Sequence, residues 1–85
     1  MPEISRFLGI VIFMYVNEHA PPHFHARYGG YEITVDIETR VTQGRFPPRA
    51  LRAVLEWAEM HEAALLGNWN LLREGKNPAK VAPLE

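Results

Sequence analysis

Three of the four histidines crowd into one short stretch, His19, His23 and His25, and Asp36 follows a little downstream. Imidazole is the one side chain whose ordinary titration falls near neutral pH, and its neutral nitrogens are good ligands for transition metals. His19, His23 and His25 are therefore a candidate ligand set for a divalent transition metal such as zinc, with Asp36 as a further oxygen donor. No other cofactor is indicated. The same neighbourhood suits acid and base chemistry. A carboxylate that orients an imidazole raises its basicity, and metal-independent RNA cleavage needs a base, an acid and a cation for the phosphorane. His23, His25, Arg27 and Asp36 could supply those roles. The competing reading is structural: histidines on the solvent side of a strand simply pair with Asp36 and Thr34. Glu32, Asp36 and Glu38 also oppose a phosphate ligand, because they add negative charge to the same face.

Whether these groups meet depends on the elements that carry them. From His23 to Tyr28 and from Tyr31 to Glu38, apolar and polar residues alternate on either side of Gly29-Gly30. Period-two patterning around a glycine pair is the signature of a tight hairpin, whose primed turns use positive φ. If Gly29 and Gly30 form the turn, Tyr28 opposes Tyr31, Arg27 opposes Glu32, Ala26 opposes Ile33, His25 opposes Thr34, Phe24 opposes Val35 and His23 opposes Asp36. Phe24, Ala26, Tyr28, Tyr31, Ile33, Val35 and Ile37 then face a core, while both strand histidines, Arg27, Glu32, Thr34, Asp36 and Glu38 face away from it.

The flanking segments complete a small α+β fold. Ile10 to Val16 reads as a strand of β-branched and aromatic residues, and Pro21-Pro22 forces an irregular connection before His23. A short further strand is expected near Val41–Arg45. Arg49 to about Glu74 contains no proline, and Leu51, Val54 or Leu55, Ala58, His61, Leu65, Trp69 and Leu72 recur at spacings of three and four. This predicts one long helix, bent if anywhere at Gly67-Asn68 and capped by Gly75. The expected architecture is a three- or four-stranded antiparallel β-meander with one long C-terminal amphipathic helix on one face, in a single domain over residues 1–85.

Two surfaces invite partners. Arg45, Arg49 and Arg52 gather where the helix begins, although the helix dipole disfavours cations there, so RNA phosphates or an acidic protein are candidate ligands. Glu56 and Glu59, one turn on, offset part of that charge. On the first strand, Val11, Phe13 and Tyr15 point to the histidine side and predict an apolar patch for a partner, either a second copy or another protein.

Composition narrows the classes. The 85 residues are 47% hydrophobic and 22% charged, which excludes disorder as the ground state. The absence of cysteine removes disulfides and thiolate metal sites. A net charge of -1 gives no bulk attraction to nucleic acid. No apolar run approaches the roughly 20 residues of a membrane span, and Met1-Pro2-Glu3 lacks the basic start of a secretory signal, so cytoplasm is the expected compartment.

The order Ile4-Ser5-Arg6-Phe7, Gly9-Ile10-Val11-Ile12, Met14-Tyr15, His19, Pro21-Pro22-His23-Phe24-His25, Tyr28-Gly29-Gly30-Tyr31 and Asp36-Ile37-Glu38 resembles a family of small bacterial proteins known as domain of unknown function 4160. Arg49-Ala50-Leu51, Leu55-Glu56-Trp57-Ala58, Asn68-Trp69 and Ala82-Pro83-Leu84-Glu85 extend the likeness along the chain. Phe13 departs from it, standing where a polar or basic residue is expected. Members of that family are typically encoded beside another small protein, an arrangement similar to toxin–antitoxin pairs. The resemblance thus implies a partner, the product of an adjacent small gene. The leading expectation is a partner-binding module, and the alternative is a histidine-based or metal-assisted ribonuclease.

Overall fold

The computed structural model describes residues 2–84. Five strands precede two helices: β1 (Glu3–Phe7), β2 (Ile10–Phe13), β3 (His23–Tyr28), β4 (Tyr31–Asp36), β5 (Thr42–Gly44), α1 (Pro48–Met60) and α2 (Glu62–Arg73). The strands form one antiparallel sheet in the order β1-β2-β3-β4-β5. The α+β class and the meander are as expected from sequence; the strand count and the single long helix need correction.

The additional strand is β1. Its alternation is broken by a bulge between Glu3 and Ser5, so Ile4 and Ser5 are both buried and the period-two signal is lost. Its turn into β2 is equally cryptic, because the positive φ of 51° belongs to Leu8, a residue that rarely takes it, ahead of Gly9 at 77°. The β3–β4 hairpin has the expected pairing in every position from His23↔Asp36 to Tyr28↔Tyr31. Gly29 supplies the positive φ, 57°, at the first central turn position. At the other edge of β4, Gly44 lets β5 close up: a Cβ there would lie 2.6 Å from the Glu32 carbonyl oxygen.

The helical segment breaks at His61, whose φ of -122° leaves the helical region, and Gly67 sits undisturbed inside α2. A distant cation accounts for the position of the break. The Arg40 guanidinium donates to the Ala58 carbonyl at the end of α1 (3.3 Å) and to the Glu62 carboxylate at the start of α2 (2.9 Å). A base at a helix C-terminus and an acid at an N-terminus both complement the helix dipoles, and a side chain inserted between carbonyls is a recognised cause of a kink. The end of α2 follows the sequence more directly. Gly75 (φ 76°) donates to Leu72 O and Lys76 to Leu71 O, the two bonds of a Schellman cap.

Ala50, Val54, Trp57 and Ala58 of α1 and Leu65, Trp69 and Leu72 of α2 seal one face of the sheet over Ile4, Ile12, Phe24 and Val35. The tail then straps the layers together. Val81 N–H donates to Ile4 O (2.8 Å), covering part of the β1 edge, and Trp57 Nε1 donates to Ala82 O (2.8 Å). The Asn68 amide is buried and both donates to and accepts from the Ala79 backbone at 2.8 Å. No helix among the described residues is long and apolar enough to cross a membrane.

Asn68→Ala removes both bonds to the tail, each worth about 1 kcal/mol. The expected result is a loss of about 2 kcal/mol in urea unfolding, with faster amide exchange at Ala79 and Val81 while β3 and β4 keep their protection.

Candidate functional site

The outer face of the sheet is built by β2 and β3. His25 pairs with Phe13 and Arg27 with Val11, which sets an aromatic and a cation beside the imidazole. Phe13 stacks on the His25 ring (5.2 Å, 14° between planes), Tyr15 meets it edge-on (4.7 Å, 82°), and the Arg27 guanidinium carbon lies 5.0 Å from the centre of the Phe13 ring. The partner surface expected at Val11, Phe13 and Tyr15 is therefore turned to internal use. Phe13 is fully buried, Val11 is half-buried and Tyr15 is 37% exposed. Together they wall His25, which faces away from the core yet is 8% exposed.

The connection from β2 to β3 closes the site. Asn17 adopts a left-handed φ of 64°, and the chain returns through a cis Ala20-Pro21 bond. This path lays the Glu18 carboxylate over β3, where Oε1 bonds His23 Nε2 (3.1 Å) and His25 Nε2. The donor atoms of Glu18, His23 and His25 all lie within 4.8 Å of one another. The other nitrogen of each ring also faces oxygen. His23 Nδ1 lies 2.8 Å from the Pro21 carbonyl, and His25 Nδ1 lies 3.7 Å from Glu32 Oε2, too far for a hydrogen bond, so that buried nitrogen has no partner. His23 also packs against Trp69 of α2 at 5.1 Å. Burial pushes the Glu18 carboxyl up, but hydrogen bonding to His25 and the charges of both imidazoles outweigh it and hold the group below its ordinary value.

The residues singled out in the sequence separate into those that converge and those that do not. His23 and His25 meet. His19 is exposed and outside the cluster, and Glu18 takes the place proposed for it. Asp36 stands opposite His23 in the ladder but its carboxylate is engaged elsewhere: Oδ1 accepts from the N–H groups of Glu38 and Thr39, both at 2.8 Å. Those bonds, that from Thr39 foremost, hold the Asp36 carboxyl below its ordinary value. Arg27 is held by Glu32 at 3.0 Å, so its charge is largely spent within the hairpin. Asp36 still helps to wall the groove of about 480 Å³ onto which Glu18, His23 and His25 open. Arg45, Arg49 and Arg52 are exposed and line three separate grooves, Arg52 sharing its own with Glu56 and Glu59.

Glu18 was not selected by the sequence reading. The signal available for it was chemical: it is the carboxylate in the same loop as His19, and two prolines ahead of His23 turn that loop back on the strand.

Two histidines and one carboxylate on the outer face of a five-stranded antiparallel sheet, with two helices sealing the other face, define a small α+β protein with a candidate metal centre. The chain belongs to the family described as Domain of unknown function (DUF4160), whose model matches residues 9–70. That span takes in Glu18, His23, His25 and strands β2 to β5, and leaves out β1 and the strap. No curated protein and no solved structure matches the chain.

Asp36→Ala is expected to destabilise the fold by about 1 kcal/mol at pH 7 through the loss of its turn bonds. Because the native carboxyl is held below its ordinary value, this contribution is present above the unfolded value near 3.8 and disappears as the pH falls through the native one. Urea unfolding of wild type and variant at pH 7 and at pH 2 to 3 measures the convergence.

Proposed function

We propose that the chain is a metal-binding protein in which Glu18, His23 and His25 hold one divalent transition ion such as zinc. The observation that carries this reading is that ligand atoms of Glu18, His23 and His25 lie within 4.8 Å of one another, with one Glu18 oxygen bonded to both Nε2 atoms. Tetrahedral ligands at about 2.0–2.1 Å from zinc lie roughly 3.3 Å apart. The 3.1 Å between His23 Nε2 and Glu18 Oε1 needs little adjustment to meet that spacing. Both ring nitrogens of His23 face oxygen acceptors. A cation in place of the Nε2 proton satisfies that arrangement while Nδ1–H donates to the Pro21 carbonyl. The Pro21 carbonyl behind His23 Nδ1 is a usual outer partner of metal-bound histidine, whereas Glu32, 3.7 Å from His25 Nδ1, does not bond it.

Three protein ligands with a groove beside them favour a working site over a purely structural one, which closes its coordination with four. An ion there would supply Lewis acidity and activate water near neutral pH, the requirement for metal-assisted hydrolysis. Glu18 and Asp36 give the groove negative character, so a phosphodiester substrate would depend on the ion to offset that charge. A metal-assisted ribonuclease is the form of this activity that the sequence anticipated. Arg27 then serves to position Glu32 and contributes little to phosphate binding.

Protein purified without a histidine tag should carry or take up about one zinc equivalent. Saturation at a hundred times Kd adds about 2.7 kcal/mol, which for a domain of this size raises Tm by roughly 10 °C or more. Glu18→Gln and His25→Ala should each weaken binding by about a hundredfold or more, and His19→Ala should leave it unchanged. Uptake that ignores Glu18 and His25, or is absent in calorimetry, overturns the reading. Hydrolysis is tested on single-stranded RNA with added zinc, and cleavage should vanish in His25→Ala.

A second reading, a partner-binding module in a toxin–antitoxin-like pair, draws on the groove of about 680 Å³ along α1 where Leu51, Leu55 and Met60 are apolar and Met60 is 65% exposed. Co-expression with the adjacent gene's product should give a stable complex that Met60→Glu disrupts. Light scattering of the chain alone checks the homodimer form of the same idea.

A further inference from the structure

We propose that the surface where the β3–β4 turn, Phe46 and the start of α1 meet binds single-stranded RNA. The proposal stands apart from the metal reading and rests on a different face of the molecule. Tyr28 and Tyr31, expected from the alternation to be sealed in the core, lie at the turn end of the hairpin and remain 37% and 48% exposed. Tyr28 is held in place: it lies over the Gly9 backbone, where an added Cβ would be 3.2 Å from its ring, and its centroid is 6.0 Å from that of Phe46. A half-exposed ring held in place presents its π-face at little entropic cost, which is what base stacking needs, and Tyr31 offers a second exposed ring beside it.

Cations flank these rings. Arg45 shares a groove of about 550 Å³ with Tyr31 and Phe46, and Arg49 shares a second with Tyr28 and Leu8. No carboxylate among the described residues lines either groove, although the chain has 10 acidic residues. Among the described residues neither arginine has an ion-pair partner, whereas Arg6, Arg27 and Arg40 are all paired. Both stand at the N-terminal end of the 13-residue α1, whose first turn has no acidic residue and no side-chain cap, so the positive end of the dipole adds to theirs. Unpaired arginines beside exposed aromatic rings are the combination by which proteins hold single strands without reading sequence, through phosphate contact and stacking together. An acidic protein surface would use the cations but leaves the exposed rings unexplained, and a duplex hides its bases from them.

The test is fluorescence anisotropy of the full chain with a labelled 12-nucleotide RNA of mixed sequence in EDTA, so that loss of any bound metal does not enter. Binding should weaken as salt rises from 50 to 200 mM. Arg45→Gln with Arg49→Gln should lower the log–log salt slope by about 1.4, at roughly 0.7 per phosphate contact. Tyr31→Ala should weaken binding about tenfold and Tyr28→Ala similarly, while Arg73→Ala, on α2, should change nothing. Circular dichroism checks each variant. If Tyr28→Ala unfolds because of its packing on Gly9, the more exposed Tyr31 carries the test. No salt-dependent binding, binding indifferent to both arginines and Tyr31, or equal affinity for polyglutamate or duplex RNA overturns the proposal.

Discussion

The pairing of β3 with β4 is the constraint on which the remainder of the molecule depends. Side chains alternate faces along a strand, so a slip of one residue would send His23 and His25 into the core and Phe24 and Ala26 out of it. The penalty for that exchange is large, since Phe24, Ala26, Val35 and Ile37 are completely buried where they stand. The hairpin therefore has one sensible register. The site inherits its geometry from that register, because both imidazoles are spaced by the pleat before any loop is placed over them.

The loop adds what the strand lacks. Glu18 brings a negative charge to two imidazole nitrogens, and Pro21 brings a carbonyl to the far side of one ring. Phe13 and Tyr15 exclude water from the other ring, so the electrostatic interactions at His25 act in a partly apolar setting, where they are stronger than at an open surface. Arg27 bridges the two roles, with its guanidinium packed on Phe13 and paired to Glu32, the carboxylate that faces His25 Nδ1. A small domain cannot devote many residues to function alone, and here the aromatic residues of β2 and the ion pair of the hairpin serve stability and site at once.

The opposite face is organised by long-range polar contacts as much as by apolar burial. Arg40, from the loop after β4, reaches the junction of the two helices, and Asn68 holds a tail that in turn reaches β1. Each of these groups satisfies buried or partly buried backbone that would otherwise lose its water partners. The result is that the tail meets β1 at Val81 and covers part of the sheet edge that this strand presents.

Local pattern was enough for the hairpin, for the outward direction of both histidines, for the Gly75 cap and for the class of fold, because each depends on residues near in sequence and on the periods of strand and helix. β1 escaped notice because a bulge buries two successive side chains, and the helix break did because its cause, Arg40, lies far from His61 in the chain. The same distinction governs the site. Imidazoles on one strand could be counted from their spacing, whereas Glu18 replacing His19, and Asp36 turning to Glu38 and Thr39, followed from how a proline-bearing loop and a turn settle onto the sheet. Loop placement and long-range ion pairs are decided by tertiary contacts, since no periodicity in the backbone encodes them.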